Sequence, residues 1–162
     1  MIREISAKSL LSPVKQPDTW FGLKYVMNLY RGCQHQCIYC DSRSECYRIE
    51  NFADILVKVN AIELLEAELS HKRVKGTIGT GSMNDPYMPL EASLNMTGRA
   101  LAVIAAHAFP VHVITKGSLV VRDIPLLQDI GRIYAAVSFT ITTASNDLGK
   151  NWNPVPQLYR NV

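Results

Sequence analysis

The chain has 162 residues, of which 48% are hydrophobic and 19% charged. That balance excludes a disordered or fibrous polypeptide and leaves enough chain for one buried core. A formal net charge of +3 permits nucleic-acid binding without arguing for it, since a phosphate-binding surface normally carries a pronounced Lys/Arg cluster. The nearest thing to one, His71-Lys72-Arg73-Val74-Lys75, sits between apolar segments and reads as a solvated helix end, where cations suit the helix dipole.

The opening MIREISAKSLLSPVK lacks the apolar stretch of a secretory signal, and no run approaches the length that spans a bilayer. The expectation is a cytoplasmic chain without a membrane partner. Residues 1–23, punctuated by Pro13, Pro17 and Gly22, read as an irregular lead-in. Lys24 to Tyr30, rich in aromatic and aliphatic residues, reads as a strand. A loop containing most of the chain's cysteines follows directly. Beyond it, Ile55, Val59, Ile62 and Leu69 recur at helical spacing through residues 53–70, which predicts an amphipathic helix.

Strand and helix then alternate. Gly76 to Thr80 reads as a short strand, followed by the polar loop GSMNDPYMPLE. Thr97 is a suitable N-cap for a helix carrying Leu101, Ile104, Ala105 and Ala108 and ending at Pro110. Val111 to Thr115 reads as a third strand. Asp123 to Ile130 reads as a helix with Pro125 in its first turn and Gly131 as its stop. Ile133 to Thr140 is a nearly continuous apolar run, the pattern of a strand buried on both faces of a parallel sheet. Four such alternations predict an α/β fold of parallel βα repeats with the helices packed outside. Chemistry in such sheets gathers in the loops at the strands' C-terminal ends. The cysteine loop, GSMNDPY, Thr115-Lys116 and residues 138–143 all fall at that edge.

The cysteine loop reads RGCQHQCIYC, Arg31 to Cys40, with Cys46 a little further on. A disulfide staple, a zinc site, a redox pair and an iron–sulfur cluster all use thiols this close together. A reducing cytoplasm argues against the staple. The spacing Cys33-x3-Cys37-x2-Cys40 supplies three thiolates, enough to hold three irons of a cubane cluster and leave the fourth iron open for a reaction. Gly32 lets the backbone bend toward such a cluster. Tyr39, just before the last cysteine, is placed to shield it or to pack on a ligand of the open iron. His35 reads as a solvent-facing loop residue, Cys46 as a small half-buried one, and His71, His107 and His112 as structural.

At these residues the chain resembles the radical S-adenosylmethionine (radical SAM) superfamily, whose hallmark is C-x3-C-x2-C with an aromatic before the last cysteine. The longer stretches NLYRGCQHQCIYCDSRSECY, GTGSMNDPYMPLE and VHVITKG are more narrowly similar to the branch related to spore photoproduct lyase. The resemblance implies a partial (β/α) barrel, about four strands of which lie in residues 24–148. It implies a 4Fe–4S cluster on Cys33, Cys37 and Cys40 and S-adenosylmethionine on the remaining iron. Reductive cleavage to methionine and a 5′-deoxyadenosyl radical then starts the chemistry, with an electron donor of flavodoxin or ferredoxin type as partner. Carried over by position, Gly79, Gly81 and Ser82 fall where the family's Gly-rich segment meets the methionine end, although the common Gly-Gly-Glu form is absent. Asp85 is either the nearby carboxylate or the residue that starts a bend before Pro86. Thr115, Lys116, Ser138 and Thr140 are pocket candidates by position.

From about Gly149 the helical and strand periods stop, and residues 149–162 read as an irregular tail, so the resemblance implies a C-terminally truncated barrel. The fourth strand would then be an apolar unpaired edge, and holding a cluster would ask less of the fold than closing over a substrate. Two other readings of the cysteines stay open on spacing alone. One is an iron–sulfur module without radical chemistry; the other is a zinc site of the three cysteines with His35 or Cys46.

Overall fold

A computed structural model describes residues 1–16, 18–47, 49 and 51–152. The core is a five-stranded sheet in the order β2-β3-β6-β7-β8, built from β2 (Leu11–Pro13), β3 (Leu23–Met27), β6 (Thr77–Thr80), β7 (Val111–Thr115) and β8 (Ala135–Phe139). Strands β3, β6, β7 and β8 run parallel, each paired with the next, and β2 is antiparallel to β3 on the outer edge. A second sheet of three strands, ordered β1-β5-β4, combines β1 (Ile2–Ile5), β4 (Tyr30–Arg31) and β5 (Ile55–Lys58). The helices are α1 (Ala61–His71), α2 (Glu91–Leu94), α3 (Met96–Ala106), α4 (Ile124–Ile130) and α5 (Asn146–Trp152). This is the mixed α/β arrangement, with a parallel sheet, of a partial (β/α) barrel.

The four predicted strands are present, the first ending at Met27 while Tyr30 passes to the second sheet, and several other differences from the sequence reading have physical causes. The lead-in is not irregular: Ile2–Ile5 pairs in parallel with Ile55–Lys58, and Leu11–Pro13 pairs with β3. The helix expected from residue 53 begins only at Ala61, because Ile55 and Val57 alternate into the core as strand residues. The Asn60 side chain ends that strand by bonding both Ala7 backbone groups, N–H to Oδ1 at 2.8 Å and Nδ2 to O at 2.9 Å. Thr97 is not an N-cap. The chain breaks at Asn95, in a left-handed conformation that Asn tolerates, and Thr97 lies in the first turn of α3. The expected irregular tail begins inside α5; its remainder, residues 153–162, lies outside the described residues.

Helices α1, α3 and α4 pack side by side. Leu65 and Leu69 of α1, Leu101 and Ile104 of α3 and Ile130 of α4 are buried in one core with Ile78, Val111 and Val113 of the sheet. Buried apolar faces of this kind are the dominant favourable term in folding. Strand β8 differs from its expectation of burial on both faces: it is half-buried, and Phe139 is exposed at its end, because among the described residues it is an edge strand.

Two features of the core fix the loops at the C-terminal end of the sheet. Glu91 is fully buried, and its carboxylate accepts from the Tyr30 hydroxyl, from Thr97 N–H at 2.9 Å and from Arg122 Nη2 at 3.3 Å. Gly32 has φ +83°, and a Cβ there would run into the Asp54 carbonyl oxygen, so the turn into the cysteine loop accepts no side chain. Glu91→Ala leaves the buried Tyr30 hydroxyl and the Thr97 N–H without their acceptor and Arg122 with Asp123 as its remaining carboxylate, and should lower stability by about 3–5 kcal/mol. Gly32→Ala should cost about 1–3 kcal/mol from backbone strain. Both are read as lowered urea midpoints with an unchanged slope.

Candidate functional site

Each loop that follows a parallel strand of the five-stranded sheet at its C-terminal end contributes to one cavity of about 80 Å³. The cysteine loop, after β3 and the short β4, supplies Cys33, Cys37 and Cys40. The loop after β6 supplies Gly81, Ser82 and Asp85, the end of β7 supplies Thr115 and Lys116, and the end of β8 supplies Thr140. All four cysteines are free thiols; Cys33 and Cys37 are buried and Cys40 is half-buried. Thus the three clustered cysteines share a cavity with six of the nine other positions singled out in the sequence.

The remaining three lie elsewhere. Gly79 is inside β6, where a Cβ would meet the Leu23 side chain. Ser138 is turned toward the buried His112, with Oγ 2.8 Å from Nε2. Tyr39 is 44% exposed, with the Lys116 ammonium 5.7 Å from its ring centre. Cys46 is exposed rather than half-buried, with Sγ 2.9 Å from Ser44 Oγ.

The cysteine loop is held by protein contacts that do not involve its sulfurs. Cys33 N–H donates to Phe52 O at 3.2 Å, Leu90 N–H donates to Gln34 Oε1 at 2.6 Å, and Arg43 Nη2 donates to Gln36 O at 2.8 Å. Gln36 itself has φ +49°, a tight left-handed turn that brings Cys37 back toward Cys33. The carbonyl of Tyr30, at the loop's stem, accepts from Asn84 Nδ2 at 2.6 Å, which ties the loop to the segment after β6.

Asp85 is the polar centre of the cavity wall. Oδ1 accepts from the Thr115 hydroxyl at 2.5 Å and from Tyr87 N–H at 2.9 Å, and Oδ2 accepts from Lys116 N–H at 2.6 Å. His35 Nε2 stands 3.3 Å from Oδ2, an ion-pair separation without the direction of a hydrogen bond. Burial pushes the Asp85 carboxyl up, but the proximity of His35, the Thr115 hydroxyl and the Lys116 N–H together outweigh it and hold it below the usual carboxylate range. Asp85 therefore does more than start a bend before Pro86: it joins three loops. Gly81, with φ +97° and its missing side chain directed at the Ile114 carbonyl, lets the loop after β6 lie against the end of β7 closely enough for those bonds.

Burial pushes the Cys33 thiol up to about 11, against the backbone N–H groups of Asp85 and His35 that donate to its sulfur. Such donors stabilise a thiolate, or the sulfurs of a cluster, once a metal replaces the proton. Among the described residues no three His, Cys, Asp or Glu side chains converge tightly enough to grip a single ion. Thiols set around a cavity suit a group that takes one thiolate at each of several irons.

Sequence reasoning missed the lining residues Ser42, Met83, Asn84 and Ile114, and above all His35. His35 is 4% exposed and lines the cavity, contrary to its reading as a solvent-facing loop residue. Its position between two cysteines was the available signal, and only the pairing with Asp85, fifty residues on, shows why it turns inward.

The comparisons agree with this picture. Over 156 residues the chain is 34% identical to an uncharacterized protein of Methanocaldococcus jannaschii, covering 94% of the chain and 56% of that protein. It is 29% identical over 166 residues to uncharacterized proteins of Mycobacterium tuberculosis and Mycobacterium bovis, covering 98% of the chain and 46% of each. The chain thus spans about half the length of the curated relatives it matches. No solved structure matches. No helix among the described residues is long and apolar enough to cross a membrane. The model of the radical SAM superfamily matches residues 27–162, a span containing the three-cysteine loop and every loop that borders the cavity; the chain belongs to the radical SAM superfamily.

Proposed function

We propose that Cys33, Cys37 and Cys40 hold a 4Fe–4S cluster and leave one iron for S-adenosylmethionine, as members of this superfamily generally do. One observation carries the reading: the three thiols of a C-x3-C-x2-C loop surround a single cavity at the C-terminal end of a parallel sheet. When bound, the cluster supplies the electron that cleaves S-adenosylmethionine to methionine and a 5′-deoxyadenosyl radical.

The chain's own residues then have separable tasks. Cys33 and Cys37, both buried, keep the bound iron away from water, and the half-buried Cys40 marks the side nearest solvent. The N–H groups of His35 and Asp85 stabilise negative charge on the Cys33 sulfur. The loop Gly81-Ser82 and the wall of Thr115, Lys116 and Thr140 bound the space next to the thiols. They form the surface against which the cofactor's methionine end would lie. The similarity of the segments around Cys33, Asp85 and Thr115 supports a place near the branch related to spore photoproduct lyase, with lyase-like radical chemistry and an external one-electron donor as partner.

Anaerobic reconstitution with iron and sulfide, followed by reduction and addition of S-adenosylmethionine, tests the reading. The expected result is a brown protein with about four irons per chain and release of 5′-deoxyadenosine. Brown protein without the nucleoside would favour a cluster that does no radical chemistry; a colourless protein retaining zinc would sink both cluster readings. Cys37→Ala should reduce iron uptake to background. Cys46→Ala should leave iron content and nucleoside release unchanged, because that thiol is exposed and does not border the cavity.

A further inference from the structure

Asn84 holds the stem of the cysteine loop with one end of its amide and leaves the other end free at the thiol cavity. The residue is 5% exposed and lines that cavity. Its Nδ2 donates to the Tyr30 carbonyl at 2.6 Å. A carbonyl oxygen only accepts, so the NH2 end must face Tyr30, and this bond settles which end of the amide is which. The opposite end is Oδ1, an acceptor at any pH. It takes no hydrogen bond from the described residues and, unlike Oδ1 of Asn28, is not shut away from open space. The open space beside Asn84 is the cavity. The backbone there is steady, because Asp85 is tied to Thr115, Tyr87 and Lys116. A fixed acceptor at a cavity wall calls for a donor that arrives with a ligand.

The surroundings select that donor. Thiolates and cluster sulfides are acceptors, so a cluster does not supply it. Asp85 is not a competing acceptor: Oδ1 already holds the Thr115 hydroxyl and Tyr87 N–H, while Oδ2 holds Lys116 N–H and faces the His35 ring. The sequence also lacks the Gly-Gly-Glu segment that would bring another carboxylate here. Ser42, Ser82 and Thr140 line the cavity too, but a hydroxyl donates as readily as it accepts and so prescribes nothing. The methionine end of S-adenosylmethionine carries an amino group, a carboxylate and a sulfonium. Of these three, the amino group is the one with N–H bonds to give.

We infer that Asn84 Oδ1 is the acceptor that receives the amino group at the methionine end of S-adenosylmethionine. The inference rests on the three-cysteine reading above. One side chain then serves two partners: Nδ2 steadies the stem of the cysteine loop, and Oδ1 meets the cofactor beside it.

The test compares the iron-loaded wild-type chain with Asn84→Ala, which removes both ends of the amide, and Asn84→Asp, which keeps the acceptor and loses the donor to Tyr30. Affinities are measured by equilibrium dialysis for S-adenosylmethionine and for its analogue lacking the α-amino group. The wild-type chain should prefer the natural compound. That preference should fall about tenfold, or about 1.4 kcal/mol, in Asn84→Ala and be kept in Asn84→Asp. Comparing the preference rather than the affinity isolates the amino-group contact from general weakening of the site. The spectrum of the reduced cluster without S-adenosylmethionine should be unaltered in Asn84→Ala, and its change on adding the natural compound should shrink. A preference absent from the wild-type chain, or unchanged in Asn84→Ala, overturns the inference while leaving the cluster reading intact. An equal fall in both variants also overturns it, because the bond to Tyr30 would then be the cause. Loss of iron from either variant overturns it as well, confining Asn84 to the holding of the cysteine loop. A wild-type chain that takes up no iron defeats the three-cysteine reading itself, and the inference with it.

Discussion

A carboxylate removed from water must be surrounded by donors, and the Asp85 carboxylate dictates where three separate loops lie. Its oxygens collect the Thr115 hydroxyl, the Lys116 N–H and the Tyr87 N–H, and they face the His35 ring. Those groups come from the loop after β7, from its own loop after β6 and from the cysteine loop. Moving any one of them by an ångström would strand a buried charge, which costs far more than an apolar misfit. The sheet brings the loops to one edge, but this carboxylate sets their mutual position. The thiols, Ser82 and Thr115 therefore line one cavity whose wall these bonds tie together.

Helix α2, which follows the Asp85 loop, opens with a second buried acid. Glu91 gathers Tyr30, Thr97 and Arg122, and Arg122 extends the network to Asp123 through Nε at 2.8 Å and Nη2 at 2.8 Å. Tyr87 joins the two systems: its N–H serves Asp85 while its hydroxyl donates to Asp123 at 2.9 Å. Buried ionic groups are weak contributors to net stability, since desolvation offsets much of their attraction. Their effect here is on register. Tyr30 immediately precedes the turn into the cysteine loop, so fixing its hydroxyl at Glu91 and its carbonyl at Asn84 fixes where the first thiol starts.

How much of this is legible in the sequence depends on the range over which the deciding interaction acts. Strands β3, β6, β7 and β8 and helices α3 and α4 announce themselves because their signals are local: alternation, apolar runs, a Pro in a first turn, a Gly at a stop. The C-x3-C-x2-C spacing is local too. What stays hidden is set by partners far away in the chain. Ile55–Lys58 looks helical when scanned alone and becomes a strand because Ile2–Ile5 lies beside it. Asn95, in a left-handed conformation, displaces the helix start expected at Thr97. His35 turns inward because Asp85 waits there, and Ser138 turns away from the cavity because His112 does. Position along a strand predicts the neighbourhood of a side chain, whereas its direction follows from contacts that a linear scan does not see.

The arrangement of the cysteine loop also bears on how a cluster would bind. In small metal domains the ligands are brought together by the metal, so binding and folding are one event. Here the loop is fixed by bonds that use no sulfur: Cys33 N–H to Phe52 O, Ile38 N–H to Trp152 O, Leu90 N–H to Gln34 and Arg43 to Gln36 O. The Arg43 guanidinium also stacks 5.4 Å from the Phe52 ring centre, closing the loop against the segment that leads into β5. A site ordered before its ligand arrives loses little conformational freedom on binding. The burial that keeps the Cys33 thiol protonated opposes metal entry, and the two backbone N–H groups aimed at its sulfur offset part of that cost. Preorganisation and those donors act in the same direction, so in the proposed reading a cluster would meet thiols already held in place, with the surrounding carboxylates tied into the frame.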